Sequence, residues 1–384
     1  MFIFRKTATG YAGKETLITL GGKKRAVEYP GNGGMSRKRG EGERGRDGRQ
    51  ALREPKPGRI GQGNRYRKFQ SGGLQGLTVY NPAEAPKRGK VGILAETSYS
   101  RYTILFGKRL IQGTAKTGEQ KSALNQLAVG DNVLFELSGR DPTVLGIVAR
   151  RSRLARLRAS DPGAAMPGAR EHVIAANIDI AVIVASVSRP AFRPGLVDRY
   201  MVICQYGNVK PLLCMTKMDL APLPDLSAYR DTDLPIVAVS NKTGEGIDGL
   251  LSLLKGKCCV FVGHSGVGKS SLINSIIGNR DIEVGNVGAK TGRGKHTTST
   301  TSLHVIGGST FLIDTPGIRS LGLWNIDAGS LRLYFPEFQG FAGGCEFKDC
   351  SHSHEPKCAV KEAVRRGEIT EGRYDAYIRL LTKR

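Results

Sequence analysis

The sequence predicts a multidomain chain: an N-terminal OB-like β-barrel, a central α/β domain in circularly permuted order, and a C-terminal helical domain closed around a metal. Three observations carry this. A glycine-rich loop, Gly263-His264-Ser265-Gly266-Val267-Gly268-Lys269-Ser270-Ser271, stands between an apolar, β-prone run and a helical apolar pattern. The tetrad Thr216-Lys217-Met218-Asp219, of the kind that reads a nucleotide base, comes before that loop and not after it. Near the C-terminus, Cys345, Cys350, His352 and Cys358 fall within 14 residues.

The loop has the least ambiguous chemistry. Cys258–Val262 reads as a strand and Ser271–Ile277 as a helix, which is the context a phosphate-binding loop requires. Glycines let successive backbone N–H groups converge on phosphate oxygens, and the helix N-terminus adds the positive end of its dipole. Lys269 then reaches the β and γ phosphates, and the Ser270 hydroxyl ligates Mg²⁺. The run Thr310–Ile313 ends in Asp314-Thr315-Pro316-Gly317, 45 positions after Lys269. An aspartate at that strand end holds Mg²⁺ through water, and the Gly317 N–H meets the γ phosphate.

The base comes next. An apolar strand, Leu212–Met215, leads into the tetrad, whose Asp219 accepts from guanine N1–H and the 2-amino group while the Lys217 stem covers the ring. Adenine lacks that donor pair and would leave a buried carboxylate unpaired. A second strand, Leu234–Val239, ends in Ser240-Asn241-Lys242-Thr243-Gly244, which looks like the other guanine loop. The expected ligands are GTP and GDP with Mg²⁺, so the central region is a circularly permuted P-loop GTPase domain. A doubly wound sheet survives such rotation when the original termini lie close together, because the strands keep their neighbours. The segment after Asp314 then leads directly into the C-terminal module.

That module carries Cys345-x₄-Cys350-x-His352-x₅-Cys358, able to close a tetrahedral Cys₃His site. With four protein ligands no open position remains, so one structural Zn²⁺ is expected rather than a catalytic one, iron being the alternative at a thiolate-rich site. His352 is preferred over His354 as the fourth ligand. Cys204, Cys214, Cys258 and Cys259 sit in apolar runs and read as small buried hydrophobes.

Composition sets the outer bounds. There is no run of about 18 apolar residues to cross a membrane, and Met1–Lys6 lacks the character of a secretory signal. A cytoplasmic location is expected, consistent with thiolates committed to metal. The formal net charge is +24, and residues 1–90 hold 21 Lys/Arg against 7 Asp/Glu. This glycine-rich stretch cannot bury a core and is expected to be a disordered arm, either following RNA phosphates or serving as a solvated tail.

Between arm and GTPase domain, Val91–Leu94, Arg101–Phe106, Asn132–Leu137 and Thr143–Val148 read as short strands of a small barrel. Tyr99, Arg101, Tyr102 and Lys108 either form a stacking and phosphate-binding face or pack inside the barrel. Further on, Ile180–Ala185 reads as a strand, with helices over Leu196–Val202, Ala359–Val364 and Tyr374–Leu381. The expected boundaries are a basic extension at 1–88, an OB-fold RNA-binding domain at 89–158, the GTPase domain at 159–325 and the zinc-binding domain at 326–384.

In that order, over about residues 89 to 384, the motifs resemble the ribosome small-subunit-dependent GTPase A family (RsgA/YjeQ type). The basic extension departs from the compact family pattern. The resemblance implies a GTPase acting late in maturation of the 30S ribosomal subunit, binding 16S rRNA and stimulated by that subunit, with no membrane partner; a monomer is expected. Thr291–Thr298 resembles the family's histidine-threonine-threonine motif, implying Thr298 as the Mg²⁺-sensing threonine and His296 as the residue that orients the attacking water, against the reading of His296 as a surface loop residue. Ile318 stands where many GTPases place a water-positioning glutamine, so slow intrinsic hydrolysis is expected. GTP is expected to hold both switches and thereby fix the angle between GTPase and zinc domains.

Overall fold

The structure is a computed structural model that describes residues 18–20, 23–25, 77–82, 89–98, 100–115, 117–139, 141–157, 171–278, 284–286, 301–315, 323 and 326–382. Strands β1 (Ile18–Leu20) and β2 (Lys23–Arg25) form an antiparallel ladder within a small unit spanning residues 10–72. All other elements belong to one compact unit that includes residues 73–384.

The first part of that unit holds β3 (Thr78–Tyr80), β4 (Lys90–Thr97), β5 (Arg101–Phe106), β6 (Arg109–Thr114), α1 (Gly118–Leu124), β7 (Asn132–Ser138) and β8 (Asp141–Val148). Leu94, Ile104, Val133, Phe135 and Ile147 alternate inward and close a core over which α1 lays Leu124. Tyr102 belongs to this core. Its hydroxyl donates to Pro142 O at 2.6 Å, and its ring lies where a Cβ on Gly113 would stand at 2.4 Å. Of the two readings of the aromatic face, packing wins for Tyr102, whereas Arg101 and Lys108 are exposed and Tyr99 lies outside the described residues.

Next come β9 (Arg153–Leu157), β10 (Glu171–Ala176), β11 (Ile180–Ser186), α2 (Pro194–Tyr206), β12 (Lys210–Thr216), β13 (Ile236–Ala238), α3 (Ile247–Leu254), β14 (Cys258–Val262), α4 (Lys269–Ile277), β15 (Val284–Asn286), β16 (Ser302–Ile306) and β17 (Thr310–Asp314). Strands β13, β12, β11, β14 and β17 lie parallel in that order, and β16 closes the edge antiparallel to β17. Both faces are buried, which is why the strands read as unbroken apolar runs. Ile183, Leu213 and Val260 point to the face covered by α2, and Val182, Leu212 and Phe261 to the face covered by α3 and α4. This is a doubly wound sheet whose chain order, but not strand order, is rotated. Strands β9 and β10 pair antiparallel across the expected boundary at 158/159, joined by the Arg153 to Glu171 ion pair at 2.5 and 2.8 Å.

The C-terminal part holds α5 (Ala328–Leu331), α6 (Gln339–Ala342), α7 (Ala359–Arg365) and α8 (Glu371–Thr382) around Phe335, Phe338 and Tyr377. The core of this module includes Val202 of α2. Arg373 of α8, 1% exposed, donates to Asp198 of α2 and to Glu337, each at 2.7 Å, and lies over the Phe335 ring at 4.7 Å. Burial pushes the Asp198 carboxyl up, and the Arg373 guanidinium opposes that shift. A buried pair of this kind adds little net stability over an apolar substitute, but losing one partner strands the other. The two parts are therefore packed together through α2. Arg373→Ala should lower the unfolding free energy by about 3–5 kcal/mol, because two carboxylates lose their buried counter-charge; chemical denaturation followed by tryptophan and circular dichroism signals checks this.

Candidate functional site

Strand β14 ends in the phosphate loop. Gly263, Gly266 and Gly268 have φ of 146°, 80° and 97°, a region costly to other residues. At Gly263 a Cβ would also stand 2.3 Å from Val184 O, so only glycine lets this strand end pass its neighbour. The Lys269 ammonium bridges Gly263 O at 2.8 Å and His264 O at 2.7 Å, lying across the loop. Phosphate oxygens make stronger, charge-assisted partners for it than these carbonyls do. Ser270 and Ser271 follow on the first turn of α4, and the His264 ring lies exposed with Nδ1 2.9 Å from Ser265 O.

Two loops reach the phosphate loop from behind. The Thr216 hydroxyl lies 2.5 Å from Val267 O, the Lys217 ammonium donates to Gly266 O at 2.8 Å and to Arg189 O, and the Asn241 amide donates to Gly268 O at 3.5 Å. Three side chains thus hold the carbonyls of three successive loop residues. With the carbonyls held on that side, the loop's N–H groups are free to turn toward an anion. Lys217 sits at φ 62°, a left-handed conformation costing about 1–2 kcal/mol. Its contacts across 28 and 49 positions of sequence offset that cost and fix the tetrad's turn.

Met218 N–H donates to Val239 O at 3.3 Å, tying the tetrad to the second base loop, and Ser240 Oγ donates to Asp219 Oδ1 at 2.8 Å. Sequence reasoning placed Asp219 as a buried carboxylate; in this structure it is exposed and oriented by Ser240. A guanine stacked on the Lys217 stem would cover it. Asn241 Oδ1 is buried without a partner among the described residues, as is Thr315 Oγ1 at the end of β17. Orphaned polar atoms at the rims of both loops, together with the glycine cradle, fit a purine nucleotide with Mg²⁺.

Asp314, the last residue of β17, lies on that rim. Burial pushes its carboxyl up, opposed by His304 and by Lys269. Burial likewise pushes the His304 imidazole down, with Asp314 opposing, so His304 is neutral at pH 7. His296, Thr298, Gly317 and Ile318 lie outside the described residues.

A doubly wound sheet whose base-reading loops precede its phosphate loop in the chain while adjoining it in space defines a circularly permuted P-loop GTPase. A family model described as RsgA GTPase matches residues 147–324. A relative from Chlorobaculum parvum, "Small ribosomal subunit biogenesis GTPase RsgA", is 36% identical over 302 residues, covering 76% of this chain and 96% of its own. The chain belongs to the RsgA GTPase family. A protein of the same name from Haemophilus influenzae is 37% identical over 294 residues, covering 73% of this chain and 82% of its own. The crystal structure of YjeQ from Thermotoga maritima matches with a TM-score of 0.59 and 29% identity, over 77% of this chain and 98% of that one. YloQ, described as a circularly permuted GTPase, matches with a TM-score of 0.57 and 28% identity, over 77% and 95%.

The second site is the cysteine cluster. Cys345, Cys350, His352 and Cys358 present ligand atoms all within 4.8 Å of one another, and the His352 atom is Nδ1, at 3.5 and 3.4 Å from Cys345 and Cys358 sulfurs. Four donors, three of them soft sulfurs, fit zinc. His354 turns away, its Nδ1 3.0 Å from Ser353 Oγ. His352 holds φ 58°, and the knuckle is braced by residues that no local spacing announces. Arg332 donates to Cys350 O at 2.8 Å, Tyr374 to His352 O at 2.9 Å, Tyr377 to Ser351 O, and Ser351 N–H donates to Glu355 at 2.6 Å. Among the described residues no helix is long and apolar enough to cross a membrane.

Sequence reasoning missed these braces, and with them His304 and Asp198, because each acts through a partner that strand pairing or packing brings near, as Arg373 does for Asp198 across 175 positions. Burial pushes the Cys350 thiol up to about 12, so without a cation the thiol form is favoured. Metal loading must release protons, and apparent Zn²⁺ affinity should fall steadily as pH is lowered from 8 to 6. Chelator competition at several pH values, with elemental analysis giving one metal per chain, checks this; affinity independent of pH would contradict it.

Proposed function

We propose that this chain hydrolyses GTP to GDP and phosphate in late maturation of the 30S ribosomal subunit, binding 16S rRNA and being stimulated by the small subunit. The observation that carries the guanine assignment is the convergence of Thr216, Lys217 and Asn241 on the phosphate-loop carbonyls, with Asp219 presented by Ser240. The relatives' printed name, a small ribosomal subunit biogenesis GTPase, supplies the partner.

In this reading Gly263 to Ser271 wrap the phosphates, and Lys269 exchanges its two loop carbonyls for β and γ oxygens. Asp219 accepts from the guanine edge, with Met218, Ser240 and Asn241 completing the base pocket. Ser270 and Thr298 would hold Mg²⁺, with Asp314 behind them, and the bound ion would supply charge neutralisation at the transferring phosphate. Gly317 N–H meets the γ phosphate, and His296 orients the attacking water on the subunit. The barrel, as an OB-fold RNA-binding domain at 89–158, and the basic extension at 1–88 grip rRNA phosphates, with the exposed Arg101 and Lys108 available on the barrel. The GTPase domain at 159–325 and the domain at 326–384, holding one structural zinc, act as one body. The protein works as a cytoplasmic monomer.

The deciding experiment is GTP hydrolysis by the purified protein with and without 30S subunits, 50S serving as control. Stimulation of at least tenfold confined to 30S is expected; equal rates under all three conditions would overturn the proposal. Asp219→Asn should weaken GDP at least about a hundredfold, since the amide opposes a donor to the guanine donors, and should favour a xanthine nucleotide, whose 2-oxo group accepts. Fluorescent nucleotide titration with both bases reads this.

A further inference from the structure

We propose that strand β4 of the barrel is a positioning element for the nucleotide site, through which engagement of the barrel sets the rate of hydrolysis. This rests on the function proposed above. Glu96 of β4 pairs with Ser302, the first residue of β16, and Ser302 pairs on its other edge with Asp314, the last residue of β17. Residues directly opposed in antiparallel strands share a face with Cβ atoms about 4.5–5.5 Å apart. Glu96, Ser302 and Asp314 therefore stand in one row, from the barrel to the carboxylate assigned to Mg²⁺. In sequence, Thr298 precedes Ser302 by four positions.

The barrel reaches β16 by a local irregularity. The β4 to β5 ladder shifts register between Leu94 and Glu96, and such a bulge bends its strand and re-aims the residues beyond it. The seam is dry. Ala95, 0% exposed, joins Leu105 and Val129 of the barrel in the same apolar core as Leu303 and Ile313. Below it, Asn177 Nδ2 donates to Gly130 O and Ala176 N–H donates to Val129 O, both at 2.9 Å. A Cβ on Gly130 would stand 2.2 Å from Ala176 O and 3.3 Å from Ile313 Cδ1. A contact packed this closely passes on a displacement instead of absorbing it. The barrel cannot shift without carrying β16 and β17, and a subunit that holds the barrel holds the strand leading out of the switch.

The test compares Glu96→Pro, which disturbs β4 at the residue that pairs with both Ser302 and Thr103, with Glu96→Gln, which keeps the backbone. Basal kcat, GTP KM, GDP affinity, 30S affinity and kcat at saturating 30S are measured for both and for the unaltered chain. Glu96→Pro should lose at least fivefold in subunit-stimulated kcat while the other four quantities stay within twofold, and Glu96→Gln should match the unaltered chain throughout. If Glu96→Pro does not fold, Glu96→Gly replaces it, with a loss of at least twofold expected. Unchanged stimulation at full subunit occupancy would overturn the proposal. So would an equal fall in basal and stimulated kcat, which marks a merely structural strand, or a fall confined to 30S affinity, which marks a docking contact. An unaltered chain that 30S does not stimulate overturns the proposed function itself, and that result is read before any variant is made.

Discussion

A phosphate loop can turn its amide N–H groups toward an anion only if the carbonyls of the same peptides are satisfied on the opposite side. Much of this structure follows from that requirement. Gly266, Val267 and Gly268 have their carbonyls held by Lys217, Thr216 and Asn241. These side chains are short or already stretched, so the strands that carry them, β12 and β13, must end at the same edge of the sheet as β14. The spatial order β13-β12-β11-β14-β17 meets the requirement whatever the order of the strands in the chain. Rotation of the chain is tolerated because it changes only surface connections, while the hydrogen bonds between base loops and phosphate loop stay as they are.

The rotation does change what is attached to the switch end of the sheet. With β17 as the last strand, the chain after Asp314 passes into the module containing Phe335 and Phe338, which packs back onto α2 around Arg373. The N-terminal strands are attached beside β17, through the pairing of β4 with β16. Both neighbours are joined to the sheet by buried apolar and hydrogen-bonded contacts. Sequence reasoning set domain boundaries where composition changes; the packing runs across them, as the pairing of β9 with β10 and the placing of Ala95 in the central core show. Close packing of this kind transmits displacement from one element to the next.

The metal cluster follows a different logic. Three cysteines and a histidine in a short segment cannot hold their own geometry, and His352 and Lys357 both occupy left-handed backbone conformations. The cost is met locally by Arg332, Glu355, Tyr374 and Tyr377, which take up the backbone groups of residues 350–353. A metal bound by the four candidate ligands would lock a knuckle that is already braced.

The sequence by itself determined the chemistry that depends on nearest neighbours along the chain. The glycines of the phosphate loop, the tetrad ending in Asp219, and the spacing of Cys345, Cys350, His352 and Cys358 each encode a local conformation or ligand set, and periodicity placed the strands and helices around them. The burial of Tyr102 was open in the sequence because strand alternation cannot say which face of a small barrel is the inside. Only the tertiary structure decided that, and likewise that Asp219 is presented by Ser240, that His304 stands beside Asp314, and that Arg373 finds Asp198 across 175 positions. The physical reason is common to all four: burial and charge act through space, so a residue whose partner lies far along the chain leaves no periodic or spaced signal at its own position.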